Sequence, residues 1–302
     1  MSEILELINK GKYSEALKRI KEKIEQKKDD PELYYLMGLV YFKAGKYKRA
    51  IDSLSKAIRL KRDEAKYHCL LGYSLYGEGY ANGDEKLIRR ALKELQLSVE
   101  IDKDIPNKEK EYHYYMANIL YELEDYEKAL KEVNEALKFD NSPEVHKLKG
   151  DILFQLKKYN EAIEEYRTNL NDDKNLYAIA YTYFTIGKYD QALEYYDRAI
   201  GVNPEDPYHY EGKARTLIFM GKINEAYEAI KKAIDIDPDN PYIKLTEVEV
   251  LAEIDERRAT KDLTEYLEET EEYREAICEE SNERKFKEKT RELIEKILVK
   301  FC

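Results

Sequence analysis

YTYFTIGKYDQALEYYDRAIGVNP, residues 181–204, places small and bulky side chains at helical spacing: Gly187, Tyr189, Ala192, Tyr196, Ala199, then Pro204. The same skeleton recurs along most of the chain. Aligned on the small residue after each Gly-Lys-Tyr type turn, it gives Ala16, Ala50, Ala91, Ala129, Ala162, Ala192 and Ala226, at spacings of 34, 41, 38, 33, 30 and 34. A spacing of 34 at both ends sets the unit, and the other values are insertions and deletions. Other columns keep the frame. Three residues earlier stand Tyr13, Tyr47, Tyr126, Tyr159, Tyr189 and Ile223. Seven residues later stand Ala57, Ser98, Ala136, Asn169, Ala199 and Ala233. Gly38, Ala117, Gly150, Ala180 and Ala214 stand twelve before it, and Gly72 takes that role in the repeat with an insertion.

Bulk properties fit a stack of short units. The 302 residues are 43% hydrophobic and 38% charged, too apolar for disorder and suited to much surface over a thin core. Only 12 Gly and 7 Pro interrupt them, so the chain reads as mostly helix. A net charge of −11 repels phosphate backbones and anionic lipids, which argues against nucleic acid and membrane surfaces as partners. No apolar run approaches a membrane span and the N-terminus has no signal-peptide pattern, so a cytoplasmic protein is the simplest reading. Abundant Lys and Glu with scarce Gln resemble a thermophile's composition. Cys69, Cys278 and Cys302 are odd in number and widely spaced, which argues against a disulfide framework or a zinc ribbon.

On these columns the chain resembles the tetratricopeptide repeat family over residues 1–260, as about seven repeats plus a partial eighth. The resemblance implies an all-α solenoid of antiparallel helix pairs, wound as a right-handed superhelix. The physics agrees: one helix pair cannot bury its apolar face alone, and stacking on the next pair completes the core. Gly45, Gly187 and Gly221 sit where first helices end. Pro31, Pro143, Pro207 and Pro241 open the next ones, with Asp30, Ser142, Asp206 and Asn240 as N-caps. The first helix is expected at residues 2–9. An insertion near GEGYANGDEK, residues 77–86, reads as a loop, residues 102–108 lengthen the next linker, and the fifth repeat is shortened between 167 and 173. A further helix is expected at 241–254 and a weak second one at 258–268. After an acidic stretch, Phe286, Leu293, Ile294, Ile297, Leu298 and Phe301 make an apolar stripe. Residues 261–302 are read as a helical cap on the last repeat; a self-association surface is the alternative.

No catalytic motif emerges: no Gly-rich phosphate loop, nucleophile elbow or HExxH is present. His68, His113 and His146 share one slot in successive repeats, where the family carries a wedged aromatic, so they are expected to pack locally. His209 is expected to be exposed. No enzyme activity, cofactor or metal is expected.

In the family, the fifth and ninth residues of each repeat face the concave groove, with the twelfth nearby. The fifth-position residues are Tyr35, Cys69, Tyr114, Lys147, Tyr177 and Glu211; the ninth are Leu39, Tyr73, Asn118, Asp151, Tyr181 and Arg215. Twelfth positions, Phe42, Tyr76, Tyr121, Phe154, Phe184 and Ile218, are expected to pack on neighbouring helices. Tyr combines a large rigid face with a hydroxyl at small entropic cost. The candidate peptide-binding residues are therefore Tyr35, Tyr73, Tyr114, Asn118, Lys147, Asp151, Tyr177, Tyr181 and Arg215. The Lys–Asn pattern with which some family co-chaperones clamp an acidic tail is absent, because Tyr114 precedes Asn118 and Glu211 precedes Arg215. The expectation is a scaffold or adaptor that takes a peptide or helix of another protein in its groove. A self-assembling scaffold acting through its C-terminal helix or solenoid ends is the alternative.

Overall fold

The structure, a computed structural model, describes residues 2–302. Two compact units are present, one up to Lys157 and the other Lys158–Cys302. The N-terminal unit holds α1 (Ser2–Asn9), α2 (Tyr13–Gln26), α3 (Pro31–Lys43), α4 (Tyr47–Leu60), α5 (Ala65–Asn82), α6 (Glu85–Ile101), α7 (Ile105–Lys108), α8 (Tyr112–Glu122), α9 (Tyr126–Ala136) and α10 (Pro143–Gln155). The C-terminal unit holds α11 (Tyr159–Tyr166), α12 (Asp173–Thr185), α13 (Tyr189–Val202), α14 (Pro207–Phe219), α15 (Ile223–Ile236), α16 (Pro241–Ile254), α17 (Glu256–Glu269), α18 (Glu271–Glu283) and α19 (Glu288–Leu298). No strand occurs among the described residues. Each unit is a solenoid stack of antiparallel helix pairs, in which helices pack on their sequence neighbours, except that α19 packs on α16 and α17.

The alanine column makes that stacking work. Ala16, Ala50, Ala91, Ala129, Ala162, Ala192 and Ala226 are all 0% exposed. A methyl side chain there lets helix axes approach to about 8–10 Å. Gly38 shows the tightness: a Cβ on it would lie 2.6 Å from Cγ of Leu54. Helix starts follow the caps. Asp30, Asp206 and Asn240 accept backbone N–H groups of their first turns. Ser142 does not; its hydroxyl donates to Asp140 instead, and Pro143 alone fixes the start of α10. First helices end on Gly45, Gly187 and Gly221 at positive φ, while Glu124 and Lys157 adopt φ of 60° at the same turn of their repeats.

The insertion at residues 77–86 is helical rather than a loop. It lengthens α5 and α6, and the turn is reduced to Gly83 and the capping residue Asp84. The glycines serve packing: a Cβ on Gly77 would come within 2.8 Å of the Tyr47 ring. Contact with Tyr47 and Ile88 offsets the roughly 0.5–1 kcal/mol that a glycine costs inside a helix. The linker at 102–108 contains the short α7. The expected weak helix at 258–268 is the fuller α17, capped by Asp255.

At the C-terminus, Phe286, Leu293, Ile294 and Ile297 are buried with Leu245, Val248 and Leu251 of α16 and Ala259, Leu263 and Leu267 of α17. Leu298 and Phe301 lie half-buried beside them. The cysteine spacing, which argued against a disulfide framework, did not foresee a single bond: Cys278 and Cys302 are joined, with Cα atoms 5.9 Å apart, and Cys69 stays free. A sequence separation of 24 carries no motif; only the packing of α18 and α19 on α16 and α17 brings the two thiols together.

Candidate peptide-binding groove

In the N-terminal unit, α5, α8 and α10 carry the groove positions of successive repeats. Tyr73 and Tyr76 from α5, Tyr114, Asn118, Tyr121 and Glu122 from α8, and Asp151 from α10 line a cleft of about 420 Å³. Tyr47 and Tyr80 close its sides. Ring geometry builds the wall. Tyr115 stacks on Tyr73 with centroids 4.2 Å apart and meets Tyr76 edge-on at 6.1 Å. Tyr76 in turn lies 5.9 Å from Tyr80. Asn118 is held at both ends of its amide: Nδ2 donates to the Tyr114 carbonyl at 2.8 Å, and Oδ1 accepts from the Tyr76 hydroxyl at 3.3 Å. Burial pushes the phenols of Tyr76, Tyr114 and Tyr121 above their usual pKa, so the rings stay neutral hydrogen-bonding groups.

The predicted residues of this unit do not all converge. Tyr114, Asn118 and Asp151 meet at the cleft, while Lys147 is tied to Asp151 at 2.7 Å along α10. Tyr73 is only 3% exposed, its ring covered by Tyr115, so it supports the wall rather than offering a free face. Tyr35 stacks on Tyr67 at 5.1 Å, and the Lys66 ammonium lies 4.8 Å from its ring.

The C-terminal unit carries Tyr177, Tyr181 and Arg215. Tyr177 and Tyr181 stack along α12 with centroids 6.3 Å apart. Tyr177 also meets Tyr196 edge-on. Arg215 lies over Phe184 at 5.2 Å. Beyond them the groove positions of α14 and α16 are taken by the chain itself. Arg284, in the link between α18 and α19, has a side chain 1% exposed. It donates to Glu211 and Thr246, and to the Tyr242 carbonyl at 3.3 Å. Its Nε lies 2.8 Å from Glu249 Oε1 without hydrogen-bond alignment. Arg215 Nε stands 3.9 Å from Glu211 and 4.0 Å from Glu249. Two guanidinium groups therefore balance two buried carboxylates. Burial pushes the Glu249 pKa up, with Arg284 and Arg215 opposing it. For Arg215, burial works against the charge, and Glu211 with Glu249 outweighs it. Next in sequence, Lys285 donates to the Tyr189 hydroxyl at 3.3 Å and lies 5.1 Å from the Phe219 ring centre.

The other polar suspects are locally engaged. His68 pairs with Glu94 at 2.7 Å and the Arg62 carbonyl at 3.0 Å; His113 pairs with Glu132 at 2.7 Å, and His146 with Asn141 at 3.1 Å. His209 is not exposed as expected but 2% exposed, with Nε2 3.1 Å from Asp173. Asp173, Asp206 and His209 place their donor atoms within 4.8 Å of one another. Asp173 already accepts from Asn203, and Asp206 caps α14. The Cys69 thiol is pushed up to about 12 by burial and donates to the Tyr73 hydroxyl, which leaves no thiolate for nucleophilic chemistry at neutral pH.

Arg284, Lys285, Glu122 and Tyr80 are the residues that sequence reading missed. Glu211 and Glu249 were the available signal: carboxylates on otherwise apolar first helices need a counter-ion, and Arg284 sits beside the apolar stripe.

Comparison with known proteins agrees with the repeat frame. Residues 5–45 and 38–79 match the TPR repeat family, and residues 174–206 and 210–240 match the tetratricopeptide repeat. Residues 86–168 match the family of anaphase-promoting complex, cyclosome, subunit 3. Among solved structures, a tetratricopeptide repeat protein from Parabacteroides merdae is 20% identical, with a TM-score of 0.63 over 87% of this chain and 98% of that one. The C-terminal part of a TPR repeat-containing protein from Cytophaga hutchinsonii is 17% identical, with a TM-score of 0.55 over 79% and 96%. The APC/C hetero-tetramer Cut9-Hcn1 is 11% identical, with a TM-score of 0.60 over 82% of this chain and 48% of that one. At these identities the likeness is one of fold. No curated protein matches the sequence.

Proposed function

This chain is a tetratricopeptide repeat protein, and on that premise we propose that it is a non-enzymatic scaffold that binds a peptide segment or helix of another protein in its groove. The observation that carries this reading is the cleft on the first helices of the N-terminal unit, walled by neutral tyrosines around Tyr114 and Asn118. Rigid aromatic faces beside fixed amide groups are what a peptide ligand requires. Similarity to a chain of the Cut9-Hcn1 hetero-tetramer supports a protein partner. Residues 261–302 act as the cap. Leu293, Ile294 and Ile297 already lie inside the last core, which favours capping over self-association through α19. A cytoplasmic location fits the acidic composition and the lack, among the described residues, of a helix able to cross a membrane. The Cys278–Cys302 bond is compatible with it only in a hyperthermophile, where intracellular disulfides are common.

The test is partner capture by the full chain followed by groove variants. Tyr114→Ala should weaken the captured complex at least about tenfold, a typical loss for a central interface tyrosine. Undiminished binding in Tyr114→Ala combined with Tyr177→Ala would sink the groove reading. A mass that rises with concentration in light scattering would favour self-assembly instead.

A further inference from the structure

We propose that the groove of the N-terminal unit recognises an arginine- or lysine-bearing segment of its protein partner, laid extended across α5, α8 and α10. The inference rests on the peptide-groove reading above and specifies the chemistry of the ligand. Three independent observations lead to it.

The first is charge. A second cavity of about 490 Å³ adjoins the cleft and shares Tyr114 and Tyr115 with it. Together the two linings present Glu111, Glu122, Asp140 and Glu144 beside Lys110, while the Asp151 carboxylate is already paired with Lys147. Glu122 is the sharpest of these. It is half-buried, and among the described residues no cation lies within 4 Å of it. Burial is the sole cause that raises its pKa, with no neighbouring charge to relieve it. A half-buried carboxylate is unfavourable until a cation reaches it.

The second is the ring surface around that carboxylate. Tyr80 is 63% exposed, and Tyr76 and Tyr121 are partly open on the same cleft. Ring faces attract ammonium and guanidinium groups, and Tyr phenols leave that attraction intact. A neutral segment gains the rings alone and an acidic one meets Glu122, whereas a basic side chain gains both the rings and the carboxylate.

The third is an internal precedent. On α13, α14 and α16 of the C-terminal unit the protein holds a basic pair of its own, on carboxylates at other places of the repeat than that of Glu122. Arg284 sits against Glu211 and Glu249, and Lys285 lies on the Tyr189–Phe219 ring pair. Phe219 occupies the thirteenth place of its repeat, the place that Glu122 occupies in α8. Carboxylates and rings of the repeat stack thus already hold an Arg-Lys dipeptide in this protein, and among the described residues Glu122 and its neighbouring rings in the N-terminal unit have no cation of their own within 4 Å of the carboxylate.

The experiment selects displayed random dodecapeptides against the full chain and measures the winners as labelled synthetic peptides. Selected peptides should share an Arg or Lys, and citrulline or norleucine in its place should weaken binding about tenfold or more. Glu122→Gln with Glu144→Gln should weaken the basic peptides to the same extent, and Tyr80→Ala by about two- to fivefold. Glu25→Gln with Glu127→Gln removes the same charge from exposed sites on α2 and α9 and should leave binding unchanged. Equal weakening by this control pair would mean diffuse attraction to an acidic surface and would overturn the proposal. Peptides that lose binding in Tyr114→Ala yet carry no basic residue would overturn it while leaving the groove reading in place. Selection of peptides indifferent to Tyr114→Ala would overturn both.

Discussion

The grooves of the two units share one register and differ in what fills them. In the C-terminal unit, Glu211 and Glu249 face Arg284, and Lys285 covers Tyr189 and Phe219. In the N-terminal unit the matching first helices carry Tyr114, Asn118 and Glu122 beside an open cleft of about 420 Å³. One repeat frame thus supports two outcomes. Charges at groove positions either close the structure on the chain's own C-terminal segment or line a cleft that the chain leaves open. The difference shows that a groove position has no fixed role in itself; its occupant decides it.

The largest effect should come from emptying the filled groove. Arg284→Ala leaves Glu211 and Glu249 buried with Arg215 alone, and loss of one partner of a buried pair typically removes about 3–5 kcal/mol. Hydrogen exchange should show lost protection in α14 and α16, with α3 to α5 unchanged; equal loss in both units would break the contrast. Next, reduction of the Cys278–Cys302 bond, or Cys302→Ser, should lower the stability of the C-terminal unit by about 3 kcal/mol in urea unfolding, from the loop it closes. An unchanged midpoint in reductant would show that α18 and α19 hold without the bond.

A smaller effect belongs to the N-terminal unit and depends on pH. The His68 pKa is raised by its hydrogen bond to Glu94. The folded state therefore binds its proton more tightly than the unfolded state. That contribution is fully present below the unfolded value of about 6.5 and is lost as pH rises through the higher folded value. Glu94→Gln should flatten this part of the stability profile, and a profile identical to that of the parent would refute the role of the pair. The smallest effect compares turns. The C-terminal unit uses Gly187 and Gly221 at the turn where α8 and α10 of the N-terminal unit end on Glu124 and Lys157 at φ of 60°, while α3 ends on Gly45. Glu124→Gly should relieve left-handed strain and stabilise by about 0.5–1 kcal/mol net of the chain entropy glycine adds. Thermal melts of Glu124→Gly and Gly187→Ala should shift in opposite directions.

Legibility followed distance along the chain. The alanine columns, the prolines at helix starts and the glycines at helix ends were readable because each acts within a few residues or one repeat of its partners. The residues 77–86 misled because Gly and Asn usually mark loops, while here the glycines admit Tyr47 and Ile88 against the helix. His209 was misplaced because Asp173, which draws it inward, lies 36 residues away. Tyr114 and Asn118, which the repeat frame puts at groove positions, line the cleft, and Tyr73 lies on α5 under the Tyr115 ring.

The sequence by itself determined the repeating helix pair, its register and the residues that each first helix presents. Helix periodicity, caps and small-residue spacing are local, so one chain suffices to read them. Tertiary structure alone decided which of those residues are available. Arg284 meets Glu211 across 73 residues, Cys302 meets Cys278 across 24, and Tyr115 covers Tyr73 by the way α8 packs on α5. Such contacts depend on how helices far apart in sequence close on one another, and no local pattern encodes that closure.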